Sequence, residues 1–238
     1  MDDHTVAAEA ARRAGRRLLA VRAQGGAAGD RHADELLLEY LRRVRPGDAI
    51  LSEESPDDAS RLDSARVWII DPLDGTREYG EPPRTDWAVH VALAVDHIPV
   101  AGAVALPASG TVLYTGSPPA LPSRTPGPLR IALSRSRPSE HVRRIVDELS
   151  AIPVPMGSAG AKTMAVVQGA ADAYLHSGGQ YEWDSCAPVA VAASVGLHVS
   201  RMDGTPPRYN QPDPYLPDLV VCRPELADTI IGAATATA

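Results

Sequence analysis

The residues best suited to chemistry form one short run, Asp71-Pro72-Leu73-Asp74-Gly75-Thr76, directly after the apolar segment 67–70. Two carboxylates at the end of a buried strand, followed by a glycine and a hydroxyl, suit a hard cation such as Mg²⁺. The proline fixes a turn, the leucine carbonyl can point inward, and the glycine lets the backbone approach a ligand. Asp, Pro and Gly are also ordinary turn residues, so this segment alone leaves a plain polar turn equally open.

Two further acidic clusters stand beside apolar segments. Glu53 and Glu54 follow the segment 49–52, and Asp184 follows Trp183 at the start of an alanine-rich stretch. Mg²⁺ prefers oxygen ligands in near-octahedral geometry and keeps several waters, so carboxylates from separate elements can share one ion. The three clusters together favour a metal site, although a helix N-cap is the structural alternative for Asp184.

These motifs, in this order, resemble the inositol monophosphatase superfamily of Mg²⁺-dependent, lithium-sensitive phosphatases. The family carries an upstream Asp, then Glu-Glu, Asp-Pro-(Ile/Leu)-Asp-Gly-Thr and Trp-Asp-x-x-Ala, and the resemblance runs from about residue 5 to residue 223. It implies an α/β fold of the inositol monophosphatase and fructose-1,6-bisphosphatase type, a layered α-β-α-β-α sandwich. The metals are expected between the two halves of that sandwich.

The resemblance implies two Mg²⁺ ions that support in-line attack of water on a phosphate monoester. Glu53, Asp71 and the Leu73 carbonyl would hold the first ion, and Asp71, Asp74 and Asp184 the second. Ions about 4 Å apart can generate hydroxide on one side and hold the leaving oxygen on the other. A third, weaker ion near Glu53 would leave no separate trace in the sequence, so the number of metals stays open.

The resemblance also implies a catalytic set of Asp30, Thr76 and Glu53. Thr76 is the family's water-holding hydroxyl, and its partner is an Asp upstream of the Glu-Glu pair, for which Asp30 has the expected placement. Asp34 is the competing candidate, and N-capping of the second helix is the alternative role for Asp30. Glu54 is expected to be an outer or solvated carboxylate.

Within the superfamily, the chain looks most like the bacterial 3′(2′),5′-bisphosphate nucleotidases, which act on 3′-phosphoadenosine 5′-phosphate in sulfur assimilation. Supporting segments are Ser134-Arg135-Ser136, Gly157-Ser158 followed by Lys162, and Arg208-Tyr209-Asn210. By resemblance, Ser158 and Lys162 would contact the 5′-phosphate, which a lysine point charge suits. The predicted substrate-binding residues are Asp74, Gly75, Thr76, Arg137, Ser158, Lys162 and His176.

Three departures leave the substrate open. One extra residue separates Ser158 from Lys162, Arg137 stands where relatives often carry His, and His176 where they often carry Arg. We expect an exchange of roles, with a cation at both positions if His176 is protonated. Inositol 1-phosphate or another sugar or nucleoside phosphate is the alternative substrate. A non-catalytic metal- or nucleotide-binding protein is the alternative of another class.

Composition narrows the partners and the compartment. The chain has 238 residues, a net charge of −7, and two cysteines, Cys186 and Cys222. A nucleic-acid polymer is bound through a basic surface, so the charge argues against that partner. No apolar run is long enough to suggest a membrane span, and no secretory signal is evident. We therefore expect a cytoplasmic protein with reduced thiols, whether monomer or homodimer.

The elements that must position these residues follow from periodicity. Helices are predicted at about 5–22, 31–44, 138–149, 160–168, 184–195 and after Pro224. Strands are predicted at 49–52, 67–71, 87–95, 100–106, 111–115, 129–133, 152–155, 173–175, 197–200 and 219–222. The proline-rich segment 116–128 divides an α+β half (1–120), with most metal ligands, from an α/β half (121–238), with substrate-binding residues and Asp184. His32, His90, His97 and His198 are expected on the surface or on strand faces.

Overall fold

The structure, a computed structural model, describes residues 1–237 as two five-stranded sheets and seven α-helices. The helices are α1 (Asp3–Val21), α2 (Gly26–Val44), α3 (Thr76–Tyr79), α4 (Glu140–Glu148), α5 (Ala159–Val167), α6 (Glu182–Ser194) and α7 (Ala227–Ala236). The strands are β1 (Ala49–Ser52), β2 (Arg66–Asp74), β3 (Ala88–Val95), β4 (Ile98–Leu106), β5 (Thr111–Tyr114), β6 (Arg130–Ser134), β7 (Ile152–Met156), β8 (Ala173–Tyr181), β9 (His198–Ser200) and β10 (Tyr215–Cys222).

The first sheet has the order β1-β2-β3-β4-β5, with β1 parallel to β2 and the other pairs antiparallel. Successive side chains of a strand point to opposite faces, so β2 supplies two layers. Trp68 and Ile70 pack against α1 and α2 on one face, whereas Val67 and Ile69 pack toward the middle of the molecule. The uninterrupted apolar segment 67–70 therefore belongs to a strand that is buried on both faces.

The second sheet has the order β7-β6-β8-β10-β9, in which β6 is parallel to β7 and β8. Helices α5 and α6 lie between the sheets, where Met164 and Val191 share one core with Tyr174 of β8. Helices α4 and α7 cover the outer face through Ile145 and Ile230. The five layers are therefore α-β-α-β-α, and the predicted fold class is confirmed. Among residues 1–237, no helix is both long and apolar enough to cross a membrane.

Several boundaries differ from the predicted ones near the acidic clusters. Helix α2 begins at Gly26, and not near residue 31, because Gly25 at φ 89° redirects the chain directly into it. Its first turns carry small residues that give no apolar periodicity. Asp30 therefore lies inside α2 and is not its N-cap. Strand β8 continues to Tyr181, well past the predicted end at residue 175, and delivers the chain straight into α6.

The proline-rich segment does separate the strands of the two sheets, because β5 ends at Tyr114 and β6 begins at Arg130. The sheets nevertheless share the central core around α5 and α6, and Leu121 packs against that core. The division into 1–120 and 121–238 remains a prediction.

Candidate active site

Three carboxylates meet where the first sheet faces α6. Asp71, Asp74 and Asp184 each offer one oxygen, and these atoms all lie within 4.8 Å of one another. Asp71 and Asp74 end β2 and are buried, while Asp184 lies half-buried in the first turn of α6. Like charges this close disfavour joint ionisation unless a cation shares them. The cluster is therefore a candidate site for a divalent metal.

Asp71 has the environment expected of a ligand. Its Oδ1 accepts a hydrogen bond from the backbone N–H of Leu73 at 3.0 Å, whereas its buried Oδ2 has no hydrogen-bond partner in residues 1–237. Burial, followed by the charges of Glu53, Asp74 and Asp184, raises the pKa of Asp71 well above its usual value. An unpaired buried carboxylate oxygen needs an explanation, and a hard cation supplies one.

All the polar contacts described for Asp74 involve one of its two carboxylate oxygens. Its Oδ2 accepts hydrogen bonds from the Ser158 hydroxyl and, at 2.7 Å, from the backbone N–H of Gly160. The Nε2 of His90 lies 3.1 Å from the same oxygen. Burial opposes ionisation, but the charge and close approach of His90, with the charge of Lys162, lower the pKa of Asp74 to about 2. The side chain is thus a fixed anion, and its Oδ1 is available to a metal.

Asp184 is oriented from within its own helix. It occupies the third position of α6, and its Oδ2 accepts a hydrogen bond from the backbone N–H of Tyr181 at 2.7 Å. This is a capping-box interaction, so the N-cap position predicted as the alternative belongs to Tyr181. Burial and the charge of Asp74 raise the pKa of Asp184 to about 7.

Glu53 borders this cluster from the end of β1. Its backbone N–H donates to the Ile70 carbonyl at 3.3 Å, which holds it beside β2. The residue as a whole is exposed, yet its carboxyl group is partly buried at the cluster. That burial raises the pKa of Glu53 to about 7; the charges of Asp74 and Glu54 add to the rise, and the neighbouring Asp71 counteracts it. Only the carboxyl would meet a metal, so its burial governs the charge state at the cluster.

Thr76 connects the turn at the end of β2 to Asp30. Its hydroxyl lies 3.1 Å from the Leu73 carbonyl and 3.3 Å from Oδ1 of Asp30. Burial, and then the charge of Glu54, raises the pKa of Asp30 to about 7, against the hydrogen bond from Thr76. A carboxyl group with such a pKa can exchange a proton near neutral pH.

The competing residue Asp34 has a different set of contacts. Its two carboxylate oxygens accept hydrogen bonds from the hydroxyls of Ser52 and Ser55, at 2.6 and 2.8 Å. These serines flank Glu53 and Glu54, so Asp34 holds the loop that carries them. Asp30, and not Asp34, is the residue that contacts Thr76.

A cavity of about 330 Å³ opens beside the carboxylates. Gly75 lies at its base with φ 89°, and a Cβ there would lie 3.2 Å from the Cβ of Ser158. Glycine therefore permits both the turn and the close packing. All the predicted substrate-binding residues line this cavity: Asp74, Gly75, Thr76, Arg137, Ser158, Lys162 and His176, together with Asp184.

Contacts within the cavity differ among these residues. The Ser158 hydroxyl donates to Asp74 and accepts from the Ala161 N–H at 2.9 Å, so its hydrogen-bonding capacity is largely used inside the protein. Arg137 is exposed at the rim. Burial and the charge of Lys162 lower the pKa of His176 to about 4. This lowered pKa favours neutral His176 at neutral pH in the ligand-free protein. A cation at both positions was expected only for protonated His176, and that expectation remains a prediction.

Lys162 is the only lysine in the sequence. The side chain is buried, its Nζ donates to the Gly157 carbonyl at 3.2 Å, and the same atom lies 5.1 Å from the centre of the Tyr174 ring. Burial lowers the pKa of Lys162, although the nearby Asp74 and Asp184 counteract that effect. Lys162 thus places a compact positive charge in the cavity wall, where it could contact an anionic group of a ligand.

Two residues at the site were missed from the sequence. His90, expected on the surface or on a strand face, is fully buried against Asp74. The period of β3 offered a signal, because His90 shares its face with Ala88 and Ala92 of the central core. Gln180 is buried in the cavity wall and donates to the Tyr174 hydroxyl at 2.7 Å, while its Oε1 has no partner within the described part of the chain. No motif pointed to Gln180.

Comparisons with known proteins show which family the chain resembles. Residues 27–236 match the Inositol monophosphatase family. The chain is 55% identical to a protein named 3′-phosphoadenosine 5′-phosphate phosphatase from Mycobacterium tuberculosis, covering 92% of this chain and 88% of the relative. It is 29% identical to the 3′(2′),5′-bisphosphate nucleotidase CysQ of Escherichia coli, covering 79% of this chain and 81% of that protein.

Solved structures show the same fold. An inositol monophosphatase from Anabaena aligns with a TM-score of 0.83 at 24% identity, covering 98% of this chain and 95% of that one. CysQ from Bacteroides thetaiotaomicron aligns with a TM-score of 0.82 at 23% identity, covering 93% of this chain and 97% of that one. At such identities the likeness concerns the fold alone.

Proposed function

The chain belongs to the inositol monophosphatase family, and from that premise we propose that it is a Mg²⁺-dependent 3′-phosphoadenosine 5′-phosphate phosphatase. It would release phosphate from the 3′ position and leave AMP. The observation that carries the proposal is the carboxylate cluster of Asp71, Asp74 and Asp184 beside a cavity that also contains Lys162. The 55% identity to a relative of that name supports the choice of substrate.

The donor set fits Mg²⁺, because it consists of carboxylate oxygens, one of them buried without a partner. Asp71, Asp74 and Asp184 would hold one ion, and Glu53, Asp71 and the Leu73 carbonyl another. When bound, such ions act as Lewis acids and neutralise charge on the attacking and leaving oxygens. The family resemblance supports the count of two.

Asp30 and Thr76 would position and deprotonate the attacking water. The Thr76 hydroxyl, in reach of Asp30, can hold the water in line with the phosphorus. Asp30, with a pKa of about 7, can accept its proton as attack proceeds. Glu53 would assist from the other side of the same water. The backbone N–H groups of Gly75 and Thr76 would donate to the phosphoryl oxygens, as turn amides do for anions.

The non-reacting phosphate would be held at Lys162, with Arg137 approaching from the rim of the cavity. We assign Ser158 an indirect part, because its hydroxyl already holds Asp74 and caps α5. The buried free thiols of Cys186 and Cys222 support a reducing, cytoplasmic setting.

A phosphate-release assay tests the proposal. The panel contains 3′-phosphoadenosine 5′-phosphate, inositol 1-phosphate, fructose 1,6-bisphosphate and 5′-AMP, each with Mg²⁺ and with EDTA. We expect the highest kcat/KM for the first compound and no turnover in EDTA. Asp184→Asn should abolish turnover, whereas Asp228→Asn, an exposed aspartate of α7, should match the wild type. A preference for inositol 1-phosphate would overturn the substrate, and no Mg²⁺-dependent turnover of any compound would overturn the activity.

A further inference from the structure

His90 is a fully buried histidine that the proposed reaction does not use. It projects from β3 into the space between the first sheet and helices α5 and α6. Its Nδ1 lies 3.0 Å from the Trp183 carbonyl oxygen. A carbonyl only accepts, so Nδ1 carries a hydrogen and donates it there. The opposite nitrogen, Nε2, lies 3.1 Å from Oδ2 of Asp74. A carboxylate oxygen only accepts, so this contact is attractive when Nε2 also carries a hydrogen.

These contacts join the elements that supply the metal ligands. Asp74 ends β2, whereas Trp183 directly precedes Asp184 in the first turn of α6. The imidazole ring of His90 therefore connects strand β3 both to Asp74 and to the residue that precedes Asp184. The Nδ1 atom also lies 3.9 Å from Oδ2 of Asp71, the oxygen that has no hydrogen-bond partner in residues 1–237.

The packing around the ring leaves little freedom. A Cβ added to Gly160 would lie only 2.1 Å from Nε2 of His90, so any larger residue there would displace the ring. The backbone N–H of Gly160 donates to the same Asp74 oxygen that His90 faces. The Nε2 contact itself is close but not aligned as a hydrogen bond within the described residues. A buried polar atom that faces a ligand carboxylate without another partner calls for a role.

We propose that His90 is a positioning residue of the metal centre. It holds the Asp74 carboxylate on one side and the start of α6 on the other, and so sets the distance between Asp74 and Asp184. Residues that hydrogen-bond metal ligands typically change metal affinity about 10–100-fold when replaced. The inference rests on the proposed metal-dependent function, but it can be read in metal binding without any substrate.

The test is calorimetric titration of the metal-free protein with Mg²⁺, using three substitutions of His90. His90→Leu fills the space and removes both polar contacts. His90→Gln can bring an amide near the former Nε2 and face Asp74, whereas His90→Asn reaches only the former Nδ1 and the Trp183 carbonyl. We expect His90→Leu and His90→Asn to raise the Kd for Mg²⁺ about 10–100-fold, and His90→Gln to recover a large part of the loss.

A histidine with a merely structural role would behave differently. Its loss would lower the melting temperature in EDTA without moving the Kd for Mg²⁺. His198→Leu is the matched control, because His198 lies on the edge strand β9 and contacts Ser200; its Kd should stay within about twofold of the wild type.

Each outcome has one meaning. If the wild type binds Mg²⁺ and His90→Leu binds it equally well, the inference is overturned while the proposed function stands. Recovery by His90→Asn but not by His90→Gln also overturns it, because the contact with Asp74 would then be irrelevant. If the wild type binds no divalent metal, the proposed function itself fails. Should His90→Leu not fold, the comparison of His90→Gln with His90→Asn decides.

Discussion

His90 of β3 and Asp71 of β2 are cross-strand partners in the first sheet. This register places a histidine directly beside the proposed bridging carboxylate, with 3.9 Å between His90 Nδ1 and Asp71 Oδ2. The strand pairing that builds the sheet thus also sets the surroundings of the carboxylate cluster.

Asp71→Asn should remove most of the activity and leave the metal-free fold at least as stable as the wild type. The amide keeps the shape but cannot supply the charge that two ions would share, and it removes repulsion with Glu53, Asp74 and Asp184. Loss of about 3 kcal/mol of transition-state stabilisation corresponds to roughly a 100-fold fall in kcat. The measurements are kcat at saturating Mg²⁺ and the melting temperature in EDTA. Near-normal kcat would contradict the bridging role.

The metal-free protein should become less stable as the pH rises from about 5 to 8. The pKa values of Asp30, Glu53 and Asp184 are raised to about 7 from ordinary values near 4. When folding raises the pKa of a carboxyl group, the folded state holds its proton more tightly than the unfolded state. The resulting stabilisation is fully present below the pKa of the unfolded state, and it is lost as the pH rises to the pKa of the folded state. The pKa of His176 is lowered to about 4 from an ordinary value of 6.5, so this residue favours higher stability at higher pH. Its opposing contribution ends at about pH 6.5.

The measurement is the free energy of unfolding by urea in EDTA across that range. We expect a fall of at least about 1 kcal/mol, because one pKa unit is worth about 1.4 kcal/mol and the exposure of Glu53 weakens its share. Saturating Mg²⁺ should remove the fall, because a bound cation favours the ionised carboxylates. Stability that rises steadily to pH 8 in EDTA would show that the carboxylates are not crowded as described.

Lithium should inhibit the enzyme. Li⁺ resembles Mg²⁺ in size but carries one charge, so at the site of Asp71, Asp74 and Asp184 it would stabilise the leaving oxygen poorly. The carboxylate donor set predicts inhibition, and not activation, by Li⁺. Na⁺ at equal concentration is the control for ionic strength. Equal rates in Li⁺ and Na⁺ at high concentration would argue against this metal geometry.

Lys162→Met should damage turnover of 3′-phosphoadenosine 5′-phosphate far more than turnover of 3′-AMP, which lacks the 5′-phosphate. Methionine retains most of the buried volume, so the change mainly removes the charge. A charge-assisted contact contributes about 1.5–3 kcal/mol, or roughly a ten- to over a hundredfold change in kcat/KM. A remote phosphate that positions the reacting one should affect kcat as well as KM.

Because Lys162 is the only lysine, the variant leaves the amino terminus as the only other target for amine-directed reagents. Protection of the wild-type lysine from such a reagent by AMP would support contact with the nucleotide. Equal losses on both substrates would instead indicate that Lys162 acts through Asp74, whose pKa it helps to lower.

Much of the fold could be read from the sequence, because it depends on local patterns. The continuous apolar segment 67–70 predicted the buried strand β2, and the alanine-rich, apolar stretch after Asp184 predicted α6. The largest errors fell where the chain has no periodic apolar signal. Gly26 to Asp30 carry small residues, so the start of α2 was missed, and the glycines Gly178 and Gly179 hid the extension of β8.

The sequence by itself determined the chemistry of the cluster, because its ligands are carried by short contiguous motifs. Asp71, Leu73, Asp74 and Thr76 lie in one turn, whose backbone geometry follows from Pro72 and Gly75. Residue types made this a candidate site for a hard cation, and the family resemblance added the phosphate ester.

Only the tertiary structure decided which side chains meet across the layers. His90 reaches Asp74 from a neighbouring strand, and Ser158 turns from a predicted substrate contact into a support for the same carboxylate. The lowered pKa of His176 was equally hidden, because it depends on burial and on the distance to Lys162. Electrostatic energies vary with distance and solvent exposure, and neither quantity exists until the two sheets have packed around α5 and α6.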